Sequence, residues 1–202
     1  ECDRSVVDDA IARRAGELES QGRRPYAIPR GGATDIGASG FADAAFEVRG
    51  QLDDLAIDPS RATIVLPVGS GASLAGFMAG SAAMELDWRV VGVSVSRPSA
   101  QMAAQVMHLS RACSALMGTS PAATGAFTLV DRAGESHTHE GDGGGARLMR
   151  ESEGVLLDSH YGIPAFDVAM ELSATEREPV LLWQTGGLPA AIEFLSVGVS
   201  DS

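Results

Sequence analysis

The segment 66–76, LPVGSGASLAG, has the spacing with the clearest chemical meaning in this sequence. An apolar run of strand length ends in a turn of glycine and serine, and the residues after the turn favour a helix. Gly69 and Gly71 allow a tight turn, so the free backbone N–H groups and the positive end of the helix dipole would face one small volume. The hydroxyls of Ser70 and Ser73 would add donors. The pattern therefore predicts an anion site, best suited to a phosphate monoester.

Three common glycine-rich motifs do not fit this spacing. A Walker loop requires a lysine, and the sequence contains none. A dinucleotide fingerprint, G-x-G-x-x-G, needs its third glycine two positions before Gly76. A serine-hydrolase elbow, G-x-S-x-G, needs a glycine at the position of Ala75. This segment alone does not distinguish an anion site from a turn whose glycines only allow the helix to pack on the strand.

Two other groups of residues have types that could do chemistry. The segment 137–140, HTHE, could contribute to a metal site, but a solvated loop is the commoner origin of so short a motif, and we predict no metal. Ser73, Asp158 and His160 have the residue types of a hydrolase triad. Asp158 and His160 would point the same way on a strand, but the incomplete elbow argues against a hydrolase.

The elements that must position these residues alternate along the sequence between apolar runs and helical patterns. The runs 62–68 and 89–95 are almost continuously apolar, which indicates strands buried on both faces of a sheet. Strands are predicted at 26–29, 62–68, 89–95, 126–131, 154–158 and 179–183. Helices are predicted at 4–21, 35–52, 72–84, 99–117, 146–152, 164–172 and 189–195. The alternation predicts an α/β fold, with a mostly parallel sheet and helices on both faces.

Charge and composition argue against several classes of function. The net charge of −12 argues against binding to nucleic acid or an anionic membrane, because these partners need clustered basic residues. No apolar run approaches the roughly 20 residues of a membrane helix. Cys2 and Cys113 are too few for a disulfide framework, so a cytoplasmic location is the simplest expectation. All 15 basic residues are arginine, and a chain without lysine cannot form a Schiff base through a lysine side chain.

Four segments, in order, resemble a known family. They are PYAIPRGGATDIGASGF (25–41), TIVLPVGSGASLAG (63–76), EGVLLDSHYG (153–162) and VLLWQTGGLPA (180–190). Together they resemble the D-cysteine desulfhydrase and 1-aminocyclopropane-1-carboxylate deaminase family, whose members are pyridoxal-phosphate enzymes of the tryptophan-synthase-β-like fold, fold type II. That family has the patterns Y-x-I-P-x-G-G-S, G-S-G-G-T-x-A-G, E-G-x-x-x-D-P-x-Y and H-T-G-G-x-P.

The resemblance implies a role for individual residues. Five consecutive residues match the loop whose backbone N–H groups hold the phosphate of pyridoxal 5′-phosphate: Gly69, Ser70, Gly71, Ala72 and Ser73. Thr185 matches a residue whose hydroxyl meets the pyridine nitrogen, and Gly186 lets the backbone pass close to the ring. Tyr161 matches a tyrosine that assists proton transfer. Without the resemblance, Tyr161 could equally be a core tyrosine with a satisfied hydroxyl.

The sequence also departs from the family pattern. The family carries its Schiff-base lysine and a substrate-carboxylate loop before the segments matched here, so we expect this chain to be a C-terminal portion. Residues 1–24 would be a helix left from, or linking to, a small domain, and residues 25–202 the cofactor-phosphate domain. Glu135 stands where the family has a second tyrosine, and Gln184 replaces the histidine of H-T-G-G. Several polar roles are therefore altered at once.

Two functions follow from the resemblance, and a third from the serine. The chain would be part of a lyase or deaminase that cleaves a C–S or C–N bond of a small amino acid, completed by a lysine-bearing segment or polypeptide. Alternatively, it would be a non-catalytic subunit that binds a phosphate ligand or a partner. A homodimer or a heteromer with the lysine-bearing half is expected in either case. A hydrolase using Ser73 is the distant third reading.

Overall fold

A computed structural model describes residues 6–134 and 144–187. The helices are α1 (Val7–Ser20), α2 (Asp35–Asp54), α3 (Ala72–Ala83), α4 (Ser99–Met117), α5 (Gly145–Glu153) and α6 (Gly162–Thr175). The strands are β1 (Thr63–Val68), β2 (Arg89–Ser94), β3 (Phe127–Asp131) and β4 (Val180–Leu182). Single 3₁₀ turns lie at Arg30–Gly32 and Pro59–Arg61. The predicted helix 189–195 and the segment 137–140 lie outside the described residues.

The four strands form one parallel sheet in the order β3-β2-β1-β4. In the register, Thr63 of β1 pairs with Arg89 of β2 on one side and with Val180 of β4 on the other. Every residue of β1 is buried, as its continuous apolar run predicted. The chain leaves β1 toward β2 and β3 on one side and returns to β4 on the other. Parallel sheets bind ligands at such a reversal, beyond the carboxyl ends of the strands.

Helices cover both faces of the sheet, which confirms the predicted α/β fold. Ile64, Leu66 and Val68 of β1 belong to an apolar cluster with residues of α3 and α4 such as Phe77 and Met102. Val65 lies on the opposite face, in a cluster with residues of α6. The alternation follows from the pleat of the strand, which sends successive side chains to opposite faces.

Small residues bring α2 and α3 into close contact. A Cβ atom at Gly76 would overlap the carbonyl group of Ala38, and one at Gly80 would lie 2.5 Å from the carbonyl oxygen of Ala42. Ala38 and Ala42 are fully buried. Gly76, which comes too late for a dinucleotide fingerprint, therefore serves helix packing.

Two strand predictions are wrong. Residues 26–29 have no regular secondary structure, and the side chains of Tyr26 and Ile28 are 71% and 61% exposed. Residues 154–158 form no ladder either, because the chain there turns into α6. An apolar run forms a strand only where a neighbouring strand takes up its backbone groups, and among the described residues neither segment has such a neighbour.

No helix in the described part of the chain is long and apolar enough to cross a membrane.

Helix α1 has no buried residue. The predicted division of the chain into residues 1–24 and 25–202 stays a prediction.

Candidate functional site

A cavity of about 900 Å³ lies at the carboxyl edge of the sheet. It is bounded by the turns that follow β1, β2 and β4 and by the start of α6. Seven of the eight predicted site residues line it: Gly69, Ser70, Gly71, Ser73, Tyr161, Thr185 and Gly186. The eighth, Ala72, is the first residue of α3 and is 3% exposed, with its side chain in the core. The fold thus brings together residues from three distant parts of the sequence.

The turn after β1 presents free backbone donors. Gly71 precedes α3 with φ 93°, a left-handed conformation that favours glycine. The first hydrogen bond into the helix runs from the N–H of Ala75 to the carbonyl of Gly71, at 2.9 Å. Among the described residues, no acceptor meets the N–H groups of Ser70, Gly71, Ala72 or Ser73. Such a set of amides at a helix start fits a phosphate group.

The phosphate loop, residues 69–73, is fixed by the neighbouring turn. The hydroxyl of Ser96 donates to the carbonyl oxygen of Gly69 at 2.7 Å, which ties the end of β2 to the loop. On the helix side, a Cβ atom at Gly71 would lie 3.3 Å from atoms of both Met102 and Val106. The loop therefore packs against α4 on one side and opens to the cavity on the other. The sequence reasoning did not identify Ser96, because nothing local marks a serine after a strand.

Tyr161 lies against the phosphate loop. A Cβ atom at Gly69 would be 2.8 Å from Cε1 of Tyr161 and 3.1 Å from its hydroxyl oxygen. The tyrosine is 39% exposed and lines the cavity, so it is not a core residue. The ring of His160 meets it edge-on, with 4.5 Å between the centroids. Gly69 thus provides room for the aromatic ring.

Asp158 fixes the turn that carries Tyr161. Its carboxylate is fully buried and accepts hydrogen bonds from the N–H groups of His160 at 3.0 Å, Tyr161 at 2.7 Å and Gly162 at 3.0 Å. It also packs against Gly187, where a Cβ atom would overlap Oδ2 of Asp158. Asp158 therefore joins the start of α6 to the turn after β4. An aspartate shortly before Pro164 is a helix-start signal that could have revealed this role.

The triad reading does not fit this arrangement. The hydrogen bonds of the Asp158 carboxylate go to backbone N–H groups, and among the described residues none joins it to the imidazole of His160. Residues 158–160 form a turn rather than the strand that the reading required.

The turn after β4 places Thr185 at the cavity. The side-chain amide of Gln184 donates to the carbonyl oxygen of Gly186 at 2.7 Å. Gly186 and Gly187 have φ values of 147° and 101°, which favour glycine. Gln184, at the position of the family histidine, thus holds the shape of the turn.

Other reactive groups do not extend the site. Burial, with smaller contributions from Asp35 and Asp43, raises the pKa of the Cys113 thiol, so this buried residue is a poor nucleophile. No group of three or more metal-binding side chains occurs in the described ranges.

A parallel α/β sheet with a glycine loop and a helix start at its carboxyl edge is typical of proteins that bind a phosphate-bearing cofactor. A family model described as "Pyridoxal-phosphate dependent enzyme" matches residues 1–186, so the chain belongs to that family. Pyridoxal phosphate, the predicted cofactor, is the cofactor of the family, and the prediction is confirmed.

Individual relatives agree with the predicted resemblance. The chain is 31% identical over 193 residues to "Putative 1-aminocyclopropane-1-carboxylate deaminase" of Pyrococcus abyssi (strain GE5 / Orsay), a match over 89% of this chain and 55% of that protein. It is 29% identical over 201 residues to D-cysteine desulfhydrase of Salmonella newport (strain SL254), over 96% of this chain and 60% of that one.

A solved structure confirms the fold. The crystal structure of an ACC deaminase homologue superimposes with a TM-score of 0.82 at 28% identity, over 99% of this chain and 60% of the other. The chain thus spans 55 to 60% of the length of these relatives.

Proposed function

We propose that this chain is the cofactor-phosphate portion of a pyridoxal-phosphate lyase or deaminase that cleaves a C–S or C–N bond of a small amino acid. The observation that carries the proposal is the run of N–H groups from Ser70 to Ser73 that have no acceptor among the described residues, in a loop that lines the same cavity as Tyr161 and Thr185. The names of the relatives, a deaminase and a desulfhydrase, support this reaction class.

Each cavity residue has a task in this proposal. The amides of the phosphate loop would bind the phosphate, and the Thr185 hydroxyl would hydrogen-bond the ring nitrogen. A neutral hydroxyl leaves that nitrogen largely unprotonated, which makes the ring a weaker electron sink than an aspartate partner would. Bound pyridoxal phosphate supplies that electron sink for the bond cleavage. The Tyr161 hydroxyl is placed to move a proton, and Asp158 holds its backbone in position.

Covalent attachment of the cofactor requires a lysine, and the 202 residues contain none. We propose that the lysine comes from a further segment or a second polypeptide. In either case the carboxyl edge of the sheet would face the lysine-bearing part, in a heteromer with a separate polypeptide or in a homodimer of a chain that carries the further segment.

Binding and turnover can be measured separately. Titration of the full chain with pyridoxal phosphate should change its tryptophan fluorescence, because one of its two tryptophans, Trp183, lies two residues before Thr185. Sulfide release from D-cysteine and ammonia release from 1-aminocyclopropane-1-carboxylate should appear only after the chain is mixed with the lysine-bearing segment of the desulfhydrase relative. Absence of pyridoxal phosphate binding would overturn the proposal that this chain holds the cofactor phosphate. Turnover by the chain alone would overturn the proposal that a further segment or a second polypeptide supplies the lysine.

A non-catalytic binding subunit is the second candidate. It is favoured by Gln184, whose amide is engaged with the carbonyl of Gly186 at the position of the family histidine. Tight binding of pyridoxal phosphate without turnover after mixing would decide for this candidate. Recovery of turnover would exclude it.

A further inference from the structure

The cavity differs in charge from the protein that contains it. The chain has 27 acidic and 15 basic residues, yet the described residues that line the cavity include two arginines, Arg30 and Arg97, and no aspartate or glutamate. A cleft lined by one sign of charge concentrates ligands of the opposite sign. The cavity therefore favours an anion in spite of the net charge of −12.

Arg97 lies beside the phosphate loop. The preceding residue, Ser96, donates its hydroxyl to the carbonyl oxygen of Gly69 at 2.7 Å. The carbonyl oxygen of Arg97 itself accepts from the hydroxyl of Ser94 at 2.7 Å. These two bonds fix the backbone of the turn on both sides of the Arg97 Cα atom. The guanidinium is thus carried on a rigid support next to the loop.

The Arg97 side chain keeps its donors for a ligand. Other arginines are engaged with carboxylates, for example Arg49 with Asp53 at 3.0 Å and Arg89 with Glu176 at 2.5 Å. Arg97 is half-buried, and within residues 6–134 and 144–187 its guanidinium has no ion pair or hydrogen bond with another side chain. A guanidinium placed in a cleft without a carboxylate partner is suited to bidentate binding of phosphate.

We propose that Arg97 is a further phosphate-binding residue of this cavity, whose guanidinium binds the same phosphate monoester as the amides of residues 69–73. The amides fix the position of the phosphate, and Arg97 neutralises part of its charge in a chain that has no lysine to do so. The identification of the ligand as pyridoxal phosphate rests on the proposed function.

Calorimetric titration of the full chain tests this role with three probes: pyridoxal 5′-phosphate, inorganic phosphate and pyridoxal, which lacks the phosphate. Arg97→Gln should weaken binding of the two phosphate-bearing probes by about tenfold or more, the scale of a charged hydrogen bond, and leave pyridoxal unaffected. Arg97→Lys keeps the charge and should lose less. Arg61→Gln, at the opposite edge of the sheet, removes the same charge and should bind all three probes like the wild type.

The outcomes of these titrations separate the role of Arg97 from the proposed function. Equal affinity of Arg97→Gln and the wild type for both phosphate-bearing probes would overturn the role of Arg97, and leave the proposed function standing. Arg97-dependent binding of inorganic phosphate, without binding of pyridoxal phosphate, would support Arg97 and overturn the proposed function. A wild-type chain that binds none of the probes would overturn both.

Discussion

The amino edge and the carboxyl edge of the sheet use their charged and polar groups differently, although the same parallel strands form both. At the amino edge, ion pairs close the structure: Arg89 at the start of β2 pairs with Glu176 at 2.5 Å, and Arg61 pairs with Glu178. The Thr63 hydroxyl, at the start of β1, also donates to Glu176 at 3.1 Å. These four charged side chains of the amino edge, Arg61, Arg89, Glu176 and Glu178, are thus paired within the chain.

The carboxyl edge is open instead. Its turns are rich in glycine, the amides of the phosphate loop lack acceptors in the described chain, and Arg97 faces the cavity. One carboxylate of this edge, Asp158, is buried and accepts hydrogen bonds from the backbone of a turn. The comparison predicts that the amino edge serves stability and the carboxyl edge serves the proposed ligand binding, so substitutions at the two edges should separate these properties.

The largest effect is expected from Asp158→Ala. This change removes the acceptor of three backbone N–H groups at the start of α6 and should lower the free energy of unfolding by about 3 kcal/mol. Urea denaturation measures the loss. Asp158→Asn keeps a carbonyl oxygen for part of the set and should lose less. Equal stability of Asp158→Ala and the wild type would show that the start of α6 does not depend on this carboxylate.

A smaller loss is expected from Gly71→Ala. An alanine at φ 93° costs about 1–2 kcal/mol, and its Cβ atom would press on α4, so affinity for pyridoxal phosphate should fall as well. Gly118→Ala is a matched control, because Gly118 also has a positive φ, 70°, but lies at the end of α4 with nothing near its Cβ position. If both variants lost affinity alike, the loop would have no special part in binding.

At the amino edge, Glu176→Gln should lower stability without changing ligand binding. The side chain is 15% exposed and holds both Arg89 and Thr63, so we expect a loss of about 1 kcal/mol in urea denaturation. Glu178→Gln breaks an exposed pair and should have no measurable effect. A loss of cofactor affinity in Glu176→Gln would contradict the separation of the two edges.

The smallest effect concerns acid stability. Hydrogen bonds from the backbone N–H groups of Ser99 and Ala133 lower the pKa of Asp131, at the carboxyl end of β3. A carboxylate with a lowered pKa in the folded state stabilises the fold fully above its ordinary pKa of about 3.9, and this contribution is lost as the pH falls through the folded value. Asp131→Asn should therefore show a shallower loss of stability below about pH 4. Parallel pH profiles of variant and wild type, from urea midpoints, would contradict this.

The sequence by itself predicted the fold class, which the structure confirms, and the glycine turn that follows β1. Continuous apolar runs such as 62–68 favour strands buried on both faces of a sheet, and the glycines at 69 and 71 mark a sharp turn between strand and helix. Both signals are local, so they can be read without knowing which segments meet. The resemblance of the four motif segments predicted the family and its cofactor.

The tertiary structure decided which distant residues act together. Whether residues 26–29 and 154–158 form strands depends on a neighbouring strand, which no local pattern reports. The contact of Tyr161 with Gly69 and the place of Arg97 beside the phosphate loop likewise depend on how the carboxyl ends of separate strands meet. The charge of the cavity could not be predicted from the sequence for the same reason. The net charge of −12 describes the whole chain, whereas the positive lining of the cavity depends on which side chains the fold places around it.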